Sequence, residues 1–205
     1  MFGILRILVG FLLGFIVFIF GFKFVKTQPK RWFSIIVIDI LLITILCFVP
    51  FENWVYSFKS AEDVYKYYYF SEEKAELVIE GEQSDFVVGR KNEVSTFLIV
   101  PKTADGWKIG ISLNDKRIVE KFFNGITVHI NQYKNTNDYF ITVFDINGGE
   151  LNISDDYNTK FFSLEDNSEF LGKTFVTYYA HISDFNPQYS VTVNGEKIEL
   201  QRKTE

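Results

Sequence analysis

Two histidines are the first side chains to consider for catalysis or metal binding. His129 and His181 are the only histidines of the chain, and each lies within a stretch of β-forming residues. No His-x-x-x-His, Cys-x-x-Cys or Gly-x-Ser-x-Gly sequence stands near either of them. We therefore expect both to be ordinary sheet residues, and neither is predicted to bind a ligand.

The segment from Asp145 to Asp156 partly resembles a calcium-binding loop. Oxygen donors occupy its first, third and twelfth positions. However, its fifth position is Gly149, its sixth is Glu150 where the turn requires glycine, and its last is aspartate instead of a bidentate glutamate. A plain β-hairpin explains the segment better, so we expect no metal and no other cofactor.

Acidic side chains are numerous in the loops toward the C-terminus, at Asp155, Asp156, Glu165, Asp166 and Glu169. Phosphate loops and dinucleotide fingerprints are missing, so an enzyme would have to use these carboxylates. Acidic loop residues usually only keep a surface solvated. The sequence therefore favours a protein that is not an enzyme, with a cell-envelope enzyme using loop carboxylates as the alternative.

The charge is distributed unevenly along the chain. Of the 21 basic and 26 acidic residues, five basic and one acidic residue precede Phe51, which leaves a net charge of −9 for the rest. Nucleic acids need a basic surface, so a nucleic-acid partner is excluded. The single cysteine, Cys47, lies in an apolar stretch and gives no information on the redox compartment.

Two apolar stretches at the N-terminus precede the rest of the chain and would position it. Residues 2–22 are interrupted only by Arg6, and residues 32–49 only by Asp39, before Pro50 ends the second stretch. Each approaches the roughly 20 residues that span a bilayer. The sequence thus predicts a transmembrane helical hairpin in residues 1–50 with the lipid bilayer as its surroundings. A cleaved signal peptide fits the first stretch less well, because its apolar run is long and lacks an Ala-x-Ala-like site.

Basic residues between the two stretches predict the orientation. Four of the five basic residues of this region lie in residues 23–31. Short basic loops stay in the cytoplasm. We therefore expect a two-span protein of the cell membrane, with the N-terminus and the C-terminal domain outside the cytoplasm.

Glycines of the first stretch are spaced for helix packing. Gly3, Gly10, Gly14 and Gly21 fall within roughly 40° of arc on a helix with about 100° per residue. Such a small-residue face lets two helix backbones approach closely. The sequence predicts a packing role for these four glycines, against the alternative that glycine is simply common in membrane helices. The sequence leaves open whether the chain forms a homo-oligomer.

Asp39 stands in the middle of the second apolar stretch and requires burial, a partner or a proton there. An antiparallel hairpin places it beside Gly14 and too far from Arg6 for a salt bridge. Two interpretations remain open: a polar contact to another membrane subunit, or a neutral carboxyl bonded to Thr44 or to a backbone carbonyl.

The remainder of the chain predicts mainly β structure. Ser60 is a helix cap before a short helix, and from Ala75 onward the hydrophobic period changes to two. Asn-Gly pairs at Asn124, Asn147 and Asn194 are typical of hairpin turns. The predicted division is a small α+β domain of residues 51–112, a helix followed by an antiparallel meander, and a β-sandwich of residues 113–205. The sandwich, with about seven strands, is immunoglobulin-like in architecture only.

Several short motifs of this region are similar to a known group of proteins. They are the segment from Ser60 to Tyr65, Val78-Ile-Glu80, Asp105-Gly-Trp-Lys108 and the hairpin from Tyr189 to Gly195. In these motifs the chain resembles uncharacterised two-helix membrane proteins of low-GC Gram-positive bacteria. The resemblance implies an extracytoplasmic β-rich domain on a membrane anchor, and it implies no activity.

These observations together predict a function. We expect a non-catalytic, membrane-anchored protein that presents a β-rich module outside the cytoplasm. The expected partner is a membrane or envelope protein, or an envelope ligand.

Overall fold

The computed structural model describes residues 4–24, 28–69, 74–91, 94–110, 115–134, 136–168 and 173–202. Its helices are α1 (Ile4–Phe24), α2 (Gln28–Phe48), a 3-10 turn (Phe51–Trp54) and α3 (Ala61–Tyr69). The strands of these residues are β1 (Ala75–Glu80), β2 (Ser84–Lys91), β3 (Val94–Thr103), β4 (Gly106–Trp107), β5 (Asp115–Phe123), β6 (Ile126–Tyr133), β7 (Tyr139–Asp145), β8 (Ile153–Asp155), β9 (Phe162–Ser168), β10 (Lys173–Ile182), β11 (Ser190–Val193) and β12 (Glu196–Glu199). The predicted β-rich region is confirmed.

Helices α1 and α2 pack against each other through small and apolar side chains. A Cβ atom added at Gly21 would lie 2.5 Å from Cγ1 of Ile35, so glycine is needed for this approach. The rings of Phe22 and Trp32 meet edge to face, with centroids 5.7 Å apart. The outward faces carry exposed apolar side chains such as Phe11. An apolar surface of this kind is normally covered by another apolar surface.

The structure contradicts the predicted transmembrane hairpin. A span needs about 20 consecutive apolar residues, and charged residues interrupt both helices, Arg6 in α1 and Asp39 in α2. Over the described residues, no helix is long and apolar enough to cross a membrane. The predicted spans at 2–22 and 32–49 are therefore wrong, as are the predicted location in the cell membrane and the predicted orientation across it.

The first sheet has the order β1-β2-β3-β4, and α3 covers its outer face. The helix begins where the backbone N–H of Asp63 donates to Oγ of Ser60, which confirms the predicted cap. Val64 and Tyr65 of α3 are fully buried against Val87 and Leu98 of the sheet. The alternation of β2 then turns Phe86 and Val88 to the opposite face.

The second sheet has the order β5-β6-β7-β10-β9 and lies in the middle of the β region. One face packs against the first sheet, where Phe140 contacts Phe86 with ring centroids 5.3 Å apart. The other face packs against the third sheet, β12-β11-β8, around residues such as Ile141 and Val191. Strands β6 and β7 are therefore buried on both faces, and nearly every residue of β6 is inaccessible.

The second and third sheets enclose one core, as a β-sandwich does. About seven strands were expected in this part, whereas these two sheets hold five and three. The difference arises because the C-terminal hairpin, predicted as one segment folded at Asn194-Gly195, counts as the two strands β11 and β12. Positive φ angles at both residues, 53° and 85°, are typical of a tight hairpin turn.

The predicted boundary between the two β domains falls at residues 111–114, which lie outside the described residues. On either side of it, the first and second sheets share a core cluster that includes Ile99, Tyr133 and Tyr179. The division at residue 112 stays a prediction, and the two parts bury a common apolar interface.

The close approach of α3 to β2 predicts a stability effect at Gly89. A Cβ atom at this position would lie 2.5 Å from Oη and 2.6 Å from Cζ of Tyr65, a side chain with no exposed surface. We expect Gly89→Ala to lower the free energy of unfolding by about 1–3 kcal/mol. Chemical denaturation measures the effect, with Glu199→Ala on exposed β12 as the control. Equal stability of the two variants would contradict this packing.

Candidate functional site

The carboxylate of Asp138 lies between the first and second sheets and has no exposed surface. It accepts hydrogen bonds from the backbone N–H groups of Glu82 and Gln83, at 2.7 and 2.8 Å, and from Oγ of Ser84 at 2.9 Å. A further bond joins its Oδ1 to Nε2 of His181, at 2.9 Å. Asp138 thus fixes the turn between β1 and β2 to the ends of β7 and β10.

These bonds determine the protonation state of Asp138. Burial by itself raises the pKa of a carboxyl group, because it penalises the charged form. The hydrogen bonds from His181, from the two backbone N–H groups and from Ser84 together outweigh burial and lower the pKa of Asp138 to about 2. Asp138 is therefore an ionised acceptor at neutral pH, and Nε2 of His181 is the donor in their hydrogen bond.

The residue types of a nucleophilic triad are present in Ser84, Asp138 and His181, but the order in which they are hydrogen-bonded differs from that of a triad. In such a triad the histidine lies between the hydroxyl and the carboxylate, so that it can remove the hydroxyl proton. Here the carboxylate lies between the hydroxyl and the imidazole, because Ser84 and His181 both bond to Asp138. Ser84 is also fully buried. This geometry holds the two sheets together and does not activate the hydroxyl.

An open groove begins beside His181 at the end of β10. Its volume is about 490 Å³. The lining side chains are mostly able to form hydrogen bonds, and they include both signs of charge: Tyr157, Thr159, Lys160, His181, Ile182, Ser183 and Asp184. Neither the groove nor the role of His181 in it was predicted, since His181 was expected to be an ordinary sheet residue.

One wall of the groove is fixed by Asp155. Its Oδ1 accepts the backbone N–H groups of Tyr157 and Thr159, at 3.1 and 2.7 Å, and its Oδ2 accepts the hydroxyl of Tyr189 at 2.8 Å. Burial and then the bond to Asp155 raise the pKa of Tyr189. The ring of Tyr157 packs against that of Tyr189, with centroids 5.2 Å apart. The loop is thus ordered before any ligand arrives.

The carboxylates considered for catalysis are dispersed. Oδ2 of Asp156 accepts the hydroxyl and backbone N–H of Ser190, and these bonds lower the pKa of Asp156. Glu165 is exposed on β9. The side chain of Asp166 and the whole of Glu169 lie outside the described residues. The two carboxylates that the sequence placed side by side, Asp155 and Asp156, both serve as local acceptors.

The segment that partly resembles a calcium loop is a turn followed by β8. Oδ1 of Asp145 accepts the backbone N–H of Asn147 at 2.8 Å. Within the described part of the chain, no group of three or more His, Cys, Asp or Glu side chains is placed to hold a metal ion.

His129 lies on β6, where its ring is 5.7 Å from that of Phe144.

The predicted helix-packing glycines lie as follows. Gly3 is outside the described residues. Gly10, Gly14 and Gly21 all face α2, and a Cβ at Gly10 would be 3.5 Å from Cδ1 of Leu46. A Cβ at Gly14 would be 3.8 Å from Oδ1 of Asp39. The packing role of these glycines in helix association stays a prediction.

Both interpretations of Asp39 stay predictions. The hydroxyl of Thr44 donates to the carbonyl of Ile40 at 2.8 Å. Oδ1 of Asp39 is buried and has no hydrogen-bond partner among the described residues. The predicted contact to another subunit stays a prediction.

Sequence reasoning missed Asp138 as well as the groove. Its bonds to Gln83 and His181 cross 55 and 43 residues of chain. The local sequence Asn137-Asp138 before a strand is typical of any turn. No local signal distinguishes this aspartate from a solvated one.

The lowered pKa of Asp138 predicts an acid sensitivity. Its ordinary pKa is 3.8 and its folded pKa is about 2, so the stability it contributes is present above pH 4 and is lost as the pH falls toward 2. The loss amounts to about 2 kcal/mol. Asp138→Asn should be less stable than the parent at pH 7 and should lack this part of the acid transition. Denaturation followed from pH 7 to pH 2 tests this, and a parallel decline in both proteins would contradict it.

The pKa of Asp115 predicts the opposite dependence of stability on pH. Burial raises the pKa of this carboxyl from 3.8 to about 7, and its Oδ1 has no hydrogen-bond partner in the described part of the chain. The protonated form is favoured in the folded state, so its contribution is present below pH 4 and is lost as the pH rises through 7. Asp115→Asn should therefore exceed the parent in stability at pH 8, by up to about 4 kcal/mol, and match it near pH 4. Thermal unfolding at pH 8 and at pH 4 measures this difference in stability, with Glu199→Gln as the exposed control.

The chain was also compared with known proteins. No protein-family model, no curated protein and no solved structure matches it. The resemblance to two-helix membrane proteins of low-GC Gram-positive bacteria therefore stays a prediction, and the geometry of the sites is the basis for the proposals that follow.

Proposed function

We propose that the β region is a non-catalytic binding module whose groove beside His181 receives an extended peptide segment of a partner protein. The observation that carries this proposal is an incompletely paired stretch of β10. Strand β9 pairs with β10 only as far as Phe162 opposite Tyr179, whereas β10 continues to Ile182. Residues 180–182 pair with β7 on one side, and among the described residues no strand pairs with them on the other.

The unpaired side of β10 is suited to strand addition. Backbone N–H and C=O groups along a sheet edge can pair with an added extended chain, and neighbouring side-chain pockets then give specificity. The groove lies at this position, because Thr159 and Lys160 just before β9 face the end of β10 across it. An added peptide would take the place that β9 leaves free.

The groove side chains suit peptide recognition. Tyr157 offers an aromatic surface that is 43% exposed although its ring packs on Tyr189. Lys160 and Asp184 offer opposite charges. Because the Asp155 bonds already order the loop, a bound peptide would lose less affinity to ordering of the site.

The alternative of a cell-envelope enzyme has less support. General acid–base catalysis by a carboxylate pair needs both groups directed at one substrate position. Asp155 and Asp156 instead satisfy neighbouring hydroxyl and N–H groups. Nε2 of His181 is bonded to the carboxylate of Asp138, which also accepts a hydrogen bond from Oγ of Ser84.

A photocrosslinking experiment tests the proposal. A benzophenone amino acid is placed at Tyr157 in the groove and, as the matched control, at Phe122, which is exposed on β5 at the opposite edge of the sheet. Peptides selected from a phage-displayed random library should crosslink from position 157 and not from position 122. Tyr157→Ala should weaken their binding by about tenfold or more, as truncation of a central aromatic residue does. Selection of no peptide, or equal crosslinking from both positions, would contradict the proposal.

A further inference from the structure

A second cavity lies in a different part of the molecule, between the 3-10 turn and α3. Its volume is about 450 Å³, within the range of small-ligand sites. The lining residues are Glu52, Val55, Tyr56, Phe58 and Tyr67. Val55 and Tyr56 are 78% and 52% exposed, so the cavity opens to the surface on their side.

Three aromatic rings form the walls of this cavity. The rings of Tyr56 and Phe58 are perpendicular, with centroids 4.9 Å apart. The ring of Tyr67 is inclined by 56° to that of Phe58, with centroids 5.4 Å apart. The three rings line one cavity, and neighbouring rings stand at large angles to each other. The faces of aromatic rings attract a cation within about 6 Å of the ring centroid.

Glu52 adds a negative charge to the same cavity. Only 1% of this residue is exposed, and its Oε1 accepts the hydroxyl of Tyr67 at 2.9 Å. A buried carboxylate is costly unless hydrogen bonds or opposite charges compensate it. The bond from Tyr67 is one of the interactions that hold this carboxylate in place.

The chemistry of the lining selects among cations. A primary ammonium has three N–H donors and needs several acceptors, and a metal ion needs several oxygen ligands. The lining side chains supply one carboxylate, and the other walls are aromatic or aliphatic. A methylated ammonium has no need of a full set of acceptors, because its methyl groups contact ring faces while its charge is compensated by the carboxylate.

We propose that the cavity formed by Glu52, Tyr56, Phe58 and Tyr67 binds a quaternary or methylated ammonium group. The rings supply cation–π contacts, and Glu52 supplies the counter-charge. This site is independent of the groove beside His181, so either one can fail without the other.

Choline and its neutral isostere 3,3-dimethylbutanol test this assignment on the full chain by calorimetry and NMR. The two ligands share shape and differ in charge. Choline should bind at least about tenfold more tightly than the isostere. A peptide that carries trimethyllysine is measured in parallel, and the tighter of the two methylated ligands distinguishes a small molecule from a modified protein as the source of the ammonium. Equal binding of choline and its isostere, or no binding of either methylated ligand at millimolar concentration, would overturn the proposal.

Substitutions locate the site. Tyr56→Leu changes an exposed wall of the cavity and should weaken choline binding by about tenfold, while Phe122→Leu on the exposed surface of β5 should leave it unchanged. Glu52→Gln should also weaken binding, and Tyr67→Phe retains the ring while it removes the bond to Glu52. Thermal unfolding of each variant checks that the fold persists. If Tyr56→Leu is folded and binds choline as the parent does, the assignment is wrong.

Discussion

The buried carboxylate of Asp138 is the interaction on which the relative position of the first two sheets depends. It lies at the start of β7 and accepts bonds from the turn between β1 and β2 and from His181 at the end of β10. Gly81 allows this arrangement, because a Cβ there would lie 2.6 Å from Oδ1 of Asp138 and 2.5 Å from the carbonyl oxygen of Ser84. The turn is thus shaped around the carboxylate.

A second buried carboxylate strengthens the same turn from the other side. Oδ1 of Asp85 forms a 2.7 Å ion pair with Lys102, and Oδ2 accepts the indole N–H of Trp107 at 2.6 Å. Lys102 also donates to the carbonyl of Gly81. Buried charges are tolerated only when they are paired and hydrogen-bonded. Asp138 therefore joins the first sheet to the second, and Asp85 joins β2 to β3 and β4 within the first sheet.

The same arrangement provides the two candidate sites. His181, held by Asp138, forms part of the groove at the place where β10 runs beyond β9. On the far face of the first sheet, α3 brings Tyr67 against Phe58 and Glu52. Both sites lie where an element ends or a loop crosses a sheet edge, and ligand-binding residues are commonly carried by such segments on a rigid scaffold.

The predictions that depend on local pattern were the most accurate. The hydrophobic period of two correctly predicted β structure in this region, as in strands β6 and β7. Ser60 caps α3, and Asn194-Gly195 forms its tight turn. The predicted transmembrane spans were wrong, because no described helix is long and apolar enough to cross a membrane.

What the sequence by itself determined is the set of elements, because strand period, helix caps and turn residues act over a few positions. The tertiary structure alone decided that β6 and β7 are buried on both faces, that Asp138 accepts bonds from residues as distant in the chain as Gln83, and that three aromatic residues line one cavity with Glu52. The physical reason is that these features depend on how separate sheets pack. An aspartate before a strand has the same local sequence whether its carboxylate faces water or four hydrogen-bond donors of the protein.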